Sequence, residues 1–332
     1  MPVKKLKKVA VTIGEPGGIG PEVALKAVSD PEVRSACVPI LIGGRPPLEK
    51  MLKKLKLPVK IRSIAQPEES RPEAGFIELI ETGGIGAKNS YKPGLPTAAG
   101  GKASYEYIKK AAEFAMGGRV AAICTAPISK EALKMAGVDY PGHTEMLASL
   151  TGTSEFAMML MGGPLRVLLV TTHVAIKNVP RLIKKEAVLG KIMLAARAAT
   201  MLGIRKPRIA VCGLNPHAGE SGLFGNEDMN EIAPAVREAA NRGIKVLGPF
   251  APDALFRKAY TGQVDIVVAM YHDQGLIPLK MVAFEKGVNV TIGLPIIRTS
   301  PDHGTAYDIA WKGKADPASM IEAIRTALKL RL

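Results

Sequence analysis

The residues best placed to do chemistry in this chain are its five histidines. Four follow or close apolar runs that read as strands or strand exits: His173 in LLVTTHVA, His217 in VCGLNPHAGE, His272 in VVAMYHDQG and His303 in RTSPDHGTA. The fifth, His143, lies in YPGHTE, which reads as a short loop. Neutral imidazole ligates divalent metals well, and neither a cysteine pair nor an acidic calcium-type loop competes for that role. The dispersed spacing carries no H-E-x-x-H signature, so it does not say which histidines converge. Other polar groups keep the same company: Lys280 after YHDQGLIPL, Asn289 in GVNVT and Arg298 closing LPIIR. Taken singly, each is as readily a surface or structural residue. Together they suit a small, anionic, metal-chelating substrate.

Such groups need a frame. Apolar, β-rich runs (KVAVTIG, PILIGG, VAAICTAP, RVLLVTTH, RIAVCGLNPH, DIVVAMYHD, GVNVTIGLP) alternate with helical patterns over 102–116, 184–202 and 230–242. Runs buried on both faces and separated by amphipathic helices predict an α/β protein with a largely parallel sheet. In that architecture ligands collect at the carboxyl ends of the strands, where the histidines fall. The stretch from Arg62 to Gly100, rich in Gly, Pro and Glu, reads as irregular surface structure or a flap.

Bulk properties narrow the function classes. The 332 residues suffice for one large α/β unit or two domains sharing a cleft. The net charge of +15 invites nucleic acid or a membrane as partner. Aromatics are only 5%, though, too few for base stacking, and no nucleic-acid-binding motif accompanies the lysine clusters at 4–8, 50–60 and 181–185. No apolar run reaches membrane-spanning length, and the basic N-terminus lacks a secretory h-region. Cys37, Cys124 and Cys212 are odd in number and widely spaced, as expected of reduced packing residues in a cytoplasmic protein.

The run VTIGEPGGIGPEV (11–23) raises the possibility of a phosphate-cradling turn. Gly18 and Gly20 match the first two glycines of G-x-G-x-x-G, but Val23 takes the third place. No acidic residue closes the next strand, VPILIGG. The run therefore fails as a Rossmann loop and reads as a tight strand-to-helix junction, with Pro21 at the first helical position.

The motifs GEPGGIGPE (14–22), TAPISKEAL (125–133), GHTE (142–145), TTH (171–173), GLNPHAGE (213–220), FGNED (224–228), MYHDQGLIPLK (270–280) and GVNVTIGLPIIRTSPDHGTA (287–306) resemble the 4-hydroxythreonine-4-phosphate dehydrogenase family of vitamin B6 biosynthesis. The resemblance implies NAD-dependent oxidation of 4-phosphohydroxy-L-threonine at its 3-hydroxyl, giving a β-keto acid that loses carbon dioxide. It implies a divalent metal (Zn, Co or Mg) on His173, His217 and His272, the last supplied by the partner of an obligate homodimer. It assigns substrate binding to His143, Thr144, Lys280, Asn289 and Arg298, and matches an acidic family position to Asp253 in APDALF (251–256), so that Asp253 and Lys280 are the catalytic expectations. A subfamily with the same motifs acts on D-erythronate or D-threonate 4-phosphate, and that alternative stays open. A phosphate acyltransferase, built on a related fold, is the alternative of another class.

GGIGPEV and HGTAYDIAWKGKADP (303–317) are also similar to motifs of the isocitrate and isopropylmalate dehydrogenases, in which the second wraps the cofactor's adenosine. This implies that His303, Gly304, Thr305 and Asp308 bind the cofactor, with the Asp308 carboxylate favouring NAD over NADP. It also implies an isocitrate/isopropylmalate dehydrogenase-like fold, with one α/β domain over 1–128 plus 291–332, a second over 129–290 carrying the dimer interface, and a cleft between them.

Overall fold

A computed structural model describes residues 6–84 and 90–332. The chain divides into two compact units, one of Met1–Ser154 with Leu294–Leu330 and Leu332, the other of Glu155–Gly293 with Arg331.

The first unit begins with β1 (Lys7–Thr12), α1 (Gly20–Ser29), α2 (Pro31–Ala36), β2 (Cys37–Gly43), α3 (Arg45–Leu55), β3 (Lys60–Ser63) and β4 (Phe76–Glu81). It continues with α4 (Ala98–Met116), β5 (Ala122–Thr125), α5 (Lys130–Met135) and α6 (His143–Leu150). The second unit holds β6 (Ala157–Gly162), β7 (Leu165–Leu169), α7 (Val179–Leu182), α8 (Lys185–Met201), β8 (Ile209–Cys212) and α9 (Ala233–Asn241). It ends with β9 (Val246–Phe250), α10 (Pro252–Tyr260), β10 (Ile266–Ala269), α11 (His272–Ala283) and β11 (Val288–Ile292). The chain then returns to the first unit for β12 (Arg298–Pro301) and α12 (Ala318–Lys329).

In the first unit the strand order is β3-β4-β2-β1-β5-β12, parallel throughout. All seven residues of β2 are buried, as a strand covered on both faces requires. In the second unit the order is β11-β6-β7-β10-β8-β9. Here β6 runs antiparallel to β11 and β7, and the other neighbours are parallel. Leu160, Leu165, Val167, Val267, Leu276 and Leu279 are central to its core. The α/β class with a largely parallel sheet is as the apolar runs predicted.

The glycine run is a junction of close backbone approaches. A Cβ at Gly14 would lie 2.2 Å from the Pro127 carbonyl oxygen, and one at Gly20 would lie 2.2 Å from that of Ile13. Only glycine lets β1 turn into α1 there.

Two local expectations need correction. The 62–100 stretch is not merely irregular: FIELIE forms β4, paired with β2 and β3. Its Glu78 is buried and ion-paired to Arg62 at 2.6 Å, so a charge stood where apolar alternation was sought. Residues 85–89 of that stretch lie outside the described residues. His143, read as a loop residue, opens α6, whereas His272 follows β10 as a strand-exit residue and also opens α11. The three cysteines are free and buried, and burial pushes the Cys37 and Cys124 thiols up to about 12.

Candidate active site

In the first unit, cationic and imidazole groups gather around the end of β5. Arg298 begins β12 in register with Ile123, which places its guanidinium beside Thr125 at the carboxyl end of β5. It is 1% exposed and donates from Nε (3.2 Å) and Nη2 (2.8 Å) to Thr125 Oγ1. Burial lowers its pKa to about 10, so it stays cationic at neutral pH. His143 is partly exposed as a residue, but its Nε2 is sealed from solvent and has no hydrogen-bond partner among the described residues. Burial, and then the Arg298 charge, push its pKa well below the ordinary 6.5, while a hydrogen bond to the Ala126 backbone opposes them. A neutral imidazole beside a buried cation can accept or donate a hydrogen bond without adding charge. Thr144 follows it on α6, partly buried.

The 303–308 segment is held against the glycine run. The Thr305 carbonyl accepts from the Ile19 amide at 3.0 Å, and Trp311 Nε1 donates to the Pro16 carbonyl at 3.0 Å. His303 Nδ1 lies 3.2 Å from the Gly304 carbonyl oxygen. Gly304 has open space where a side chain would stand, and Asp308 is exposed. An open glycine and an accessible carboxylate fit a ribose-bearing cofactor.

In the second unit, the histidines stand on the rim. The His173 and His272 rings lie 5.6 Å apart between centroids, at 43°. They border a pocket of about 270 Å³ with Thr172, Val174, Tyr271 and Asp273. Asp273 Oδ1 is 2.6 Å from His272 Nδ1. His217 sits apart from this pair, with Glu220 Oε2 3.0 Å from its Nδ1 and its ring edge toward Phe224. Its loop is strained: His217, Ala218, Glu220 and Ser221 all have positive φ. Buried Asp228 holds that loop by accepting from the Leu214 amide (2.8 Å) and from Asn215 Nδ2 (3.0 Å). Gln274 ties it to α11, donating to the Gly213 carbonyl and accepting from the Met270 amide, both at 2.7 Å.

Among the described residues, no three His, Cys, Asp or Glu side chains gather closely enough to hold a metal ion. The donor chemistry still fits one. On both His217 and His272 a carboxylate faces Nδ1, which favours the proton there and leaves Nε2 as the ligating atom. Lys280 is partly buried on α11, with Nζ 5.8 Å from the Phe284 ring centroid. Asn289 on β11 has a buried Oδ1 without a partner among the described residues. Asp253 is exposed in the first turn of α10 and accepts from the Ala254 amide at 2.8 Å. Sequence reasoning missed Thr125, Asp228, Gln274, Glu15 and Tyr307. TAPISK, FGNED and YHDQG had drawn attention to the first three segments without singling out those residues.

A largely parallel α/β chain with imidazoles, a buried guanidinium and a strapped polar loop at its strand ends has the build of an enzyme for small anionic substrates. Comparison with known proteins makes this specific. Residues 35–327 match the family model described as pyridoxal phosphate biosynthetic protein PdxA, and the chain belongs to that family. It is 48% identical over 328 residues to a 4-hydroxythreonine-4-phosphate dehydrogenase of Trichlorobacter lovleyi, covering 97% of each chain. It is 46% identical over 330 residues to a D-threonate 4-phosphate dehydrogenase of Cupriavidus necator, covering 98% of this chain and 97% of the relative. The solved 4-hydroxythreonine-4-phosphate dehydrogenase of Klebsiella pneumoniae superposes with a TM-score of 0.91 at 42% identity, over 98% of this chain and 99% of that one.

Proposed function

We propose that the protein is a metal- and NAD-dependent dehydrogenase that oxidises 4-phosphohydroxy-L-threonine at its 3-hydroxyl. The product, 2-amino-3-oxo-4-phosphooxybutanoate, decarboxylates to 3-amino-2-oxopropyl phosphate in pyridoxal phosphate biosynthesis. The observation that carries this reading is near-complete coverage at 48% identity to a relative so named, together with its motif histidines at the strand ends.

Arg298, Lys280 and Asn289 grip the phosphate, and His143 and Thr144 add neutral hydrogen bonds. That anchorage orients the reacting carbon for hydride transfer. His173, His217 and His272 would hold the divalent cation, with Nε2 the free donor on His217 and His272, and Asp253 takes the proton or holds the substrate amine. When bound there, a divalent cation would supply Lewis-acid stabilisation of the negative charge that develops on the substrate oxygen during oxidation and decarboxylation. His303, Gly304, Thr305 and Asp308 bind the cofactor, where a carboxylate accepts from the ribose hydroxyls and repels a 2′-phosphate. His272 serves the site of a second copy in a homodimer. In support, the helix that begins with His272 leaves Ile277, Met281 and, just beyond it, Phe284 exposed by 58%, 83% and 76% at helical spacing. An apolar stripe of that kind is what an interface covers. Three buried free thiols suit a reducing, cytoplasmic setting.

The second reading is the oxidation of D-threonate or D-erythronate 4-phosphate, favoured by the Cupriavidus necator relative at nearly equal identity. The deciding experiment follows NADH formation by chelator-stripped protein, with and without Zn²⁺, Co²⁺ or Mg²⁺, on the three phosphorylated acids side by side. Metal-dependent turnover fastest on the amino acid is expected. Preference for a sugar acid would move the enzyme to catabolism, and no NADH from any of them would overturn the dehydrogenase reading.

No helix among the described residues is long and apolar enough to cross a membrane.

A further inference from the structure

Glu15, in the glycine run, is fully buried; its carboxylate oxygens are sealed from solvent, and the groups that face them are the Gly17 and Gly18 amides and the Tyr307 hydroxyl. The position is built around that side chain. A Cβ at Gly100, in the first turn of α4, would lie 2.1 Å from Glu15 Oε1, and one at Gly17 would lie 3.0 Å from Oε2. A residue larger than glycine at 100 would evict the carboxyl, so the cradle is cut to it.

The side chain facing this carboxyl is Tyr307, whose hydroxyl is sealed from solvent and lies among Glu15, Ser129 and Thr305. Tyr307 lies in the 303–308 segment, which is pinned to residues 14–20 by the Ile19 N to Thr305 O bond, and Trp311, three residues beyond it, donates from Nε1 to Pro16 O. Ala306 in the segment and Trp311 just beyond it both have positive φ, a conformation such residues resist. The titratable groups facing Glu15 are the phenols of Tyr307 and, from α4, Tyr107. The lysines of the neighbouring segments, Lys92, Lys102 and Lys130, are exposed.

We propose that Glu15 is a positioning residue whose protonation sets how Tyr307 seats the 303–308 segment, and so ties dinucleotide affinity to pH. The inference rests on the reading that this segment binds the cofactor. When the carboxyl is neutral, the loop junction holds no buried charge. When it ionises, it draws the Tyr307 hydroxyl and sets a negative charge beside the segment read as binding the anionic dinucleotide. Dinucleotide affinity therefore falls as pH rises through the titration of Glu15, and binding takes up a proton. Burial raises that carboxyl from 4.5 to about 7, with the Gly17 and Gly18 amides and Tyr307 pulling against it, so the change falls near neutral pH.

Trp311, the one tryptophan of the chain, stands on the strap and reports on it. Its emission is followed from pH 6.5 to 8.5 in metal-free, ligand-free protein, and NADH is titrated over the same range by energy transfer from Trp311. In the unmodified protein, emission should titrate near neutral pH and NADH affinity should fall roughly fivefold across the range. Glu15→Gln should abolish both changes while NADH still binds, and Tyr307→Phe should move the midpoint upward. Flat emission in the unmodified protein, or a pH dependence that survives Glu15→Gln, would overturn the proposal alone. Failure of the folded protein to bind NADH at any pH would overturn the cofactor reading and the linkage with it, even with the Trp311 titration intact.

Discussion

The polar groups of the two units are held in opposite ways. Around β5 and β12 they are sealed: Arg298 is 1% exposed, Glu15 is fully buried, and burial shifts both, as it does His143. On the rim of the second unit, His173 and His217 are exposed, and carboxylates rather than burial attend His217 and His272. Burial fixes geometry and charge state at a cost in desolvation, which suits groups that must present one charge to an anion. Exposure leaves imidazoles accessible to a metal, with Asp273 and Glu220 orienting the rings. The same substitution chemistry should therefore cost activity in both places but stability in only one.

The largest separation is expected at the histidines. His173→Ala should cut metal-dependent turnover by on the order of a thousandfold, since such a cation supplies several kcal/mol. Thermal unfolding of the variant should change little, by about 0.5 kcal/mol or less, because the side chain is exposed. A melt lowered as much as that of a core variant would break the contrast.

Arg298→Lys should lose on both counts. A lysine cannot reproduce the paired Nε and Nη2 contacts to Thr125, so kcat/KM should fall roughly 10- to 100-fold and stability by about 1–3 kcal/mol. Steady-state kinetics with denaturant unfolding on the same samples checks it. Full stability with lost activity would remove Arg298 from the sealed class.

A third effect is on the pH dependence of stability. Glu15 titrates at about 7 when folded against 4.5 when unfolded, so the folded chain binds more protons in that interval. Its contribution is complete below pH 4.5 and is lost as pH rises through about 7, on the order of 3 kcal/mol in all. His143 acts in the opposite sense: its folded pKa is depressed, so its contribution is present above 6.5 and is lost as pH falls. Glu15→Gln should flatten the decline between pH 4.5 and 7 in denaturant titrations, and His143→Gln should flatten the acid-side loss below 6.5. Unchanged profiles would mean that neither group is sealed.

Much of this was legible in the sequence. The alternation of apolar runs with amphipathic helices announced the parallel sheets because doubly covered strands leave no polar face. The histidines announced strand ends because imidazole is rare in such runs. Strand β4 was hidden by Glu78, whose charge is satisfied by Arg62, a partner 16 residues away that periodicity does not see. Glu15 was hidden for a related reason. Within a glycine-rich turn a glutamate reads as solvent-facing, and only the approach of Gly100 from α4 buries it. Asp228 and Gln274 act on backbone groups of distant loops, which leaves no local pattern to find.

The central claim, a metal-dependent site completed by a second copy of the chain, is tested most directly by complementation. His173→Ala and His272→Ala proteins, each inactive alone, are co-expressed and assayed for metal-dependent NADH formation. If His272 serves the partner's site, each mixed dimer keeps one intact site, and activity should return to about one quarter of the unmodified level in a statistical mixture. If His173 and His272 of one chain serve the same site, every site lacks one of them. No activity from verified mixed dimers would contradict the account.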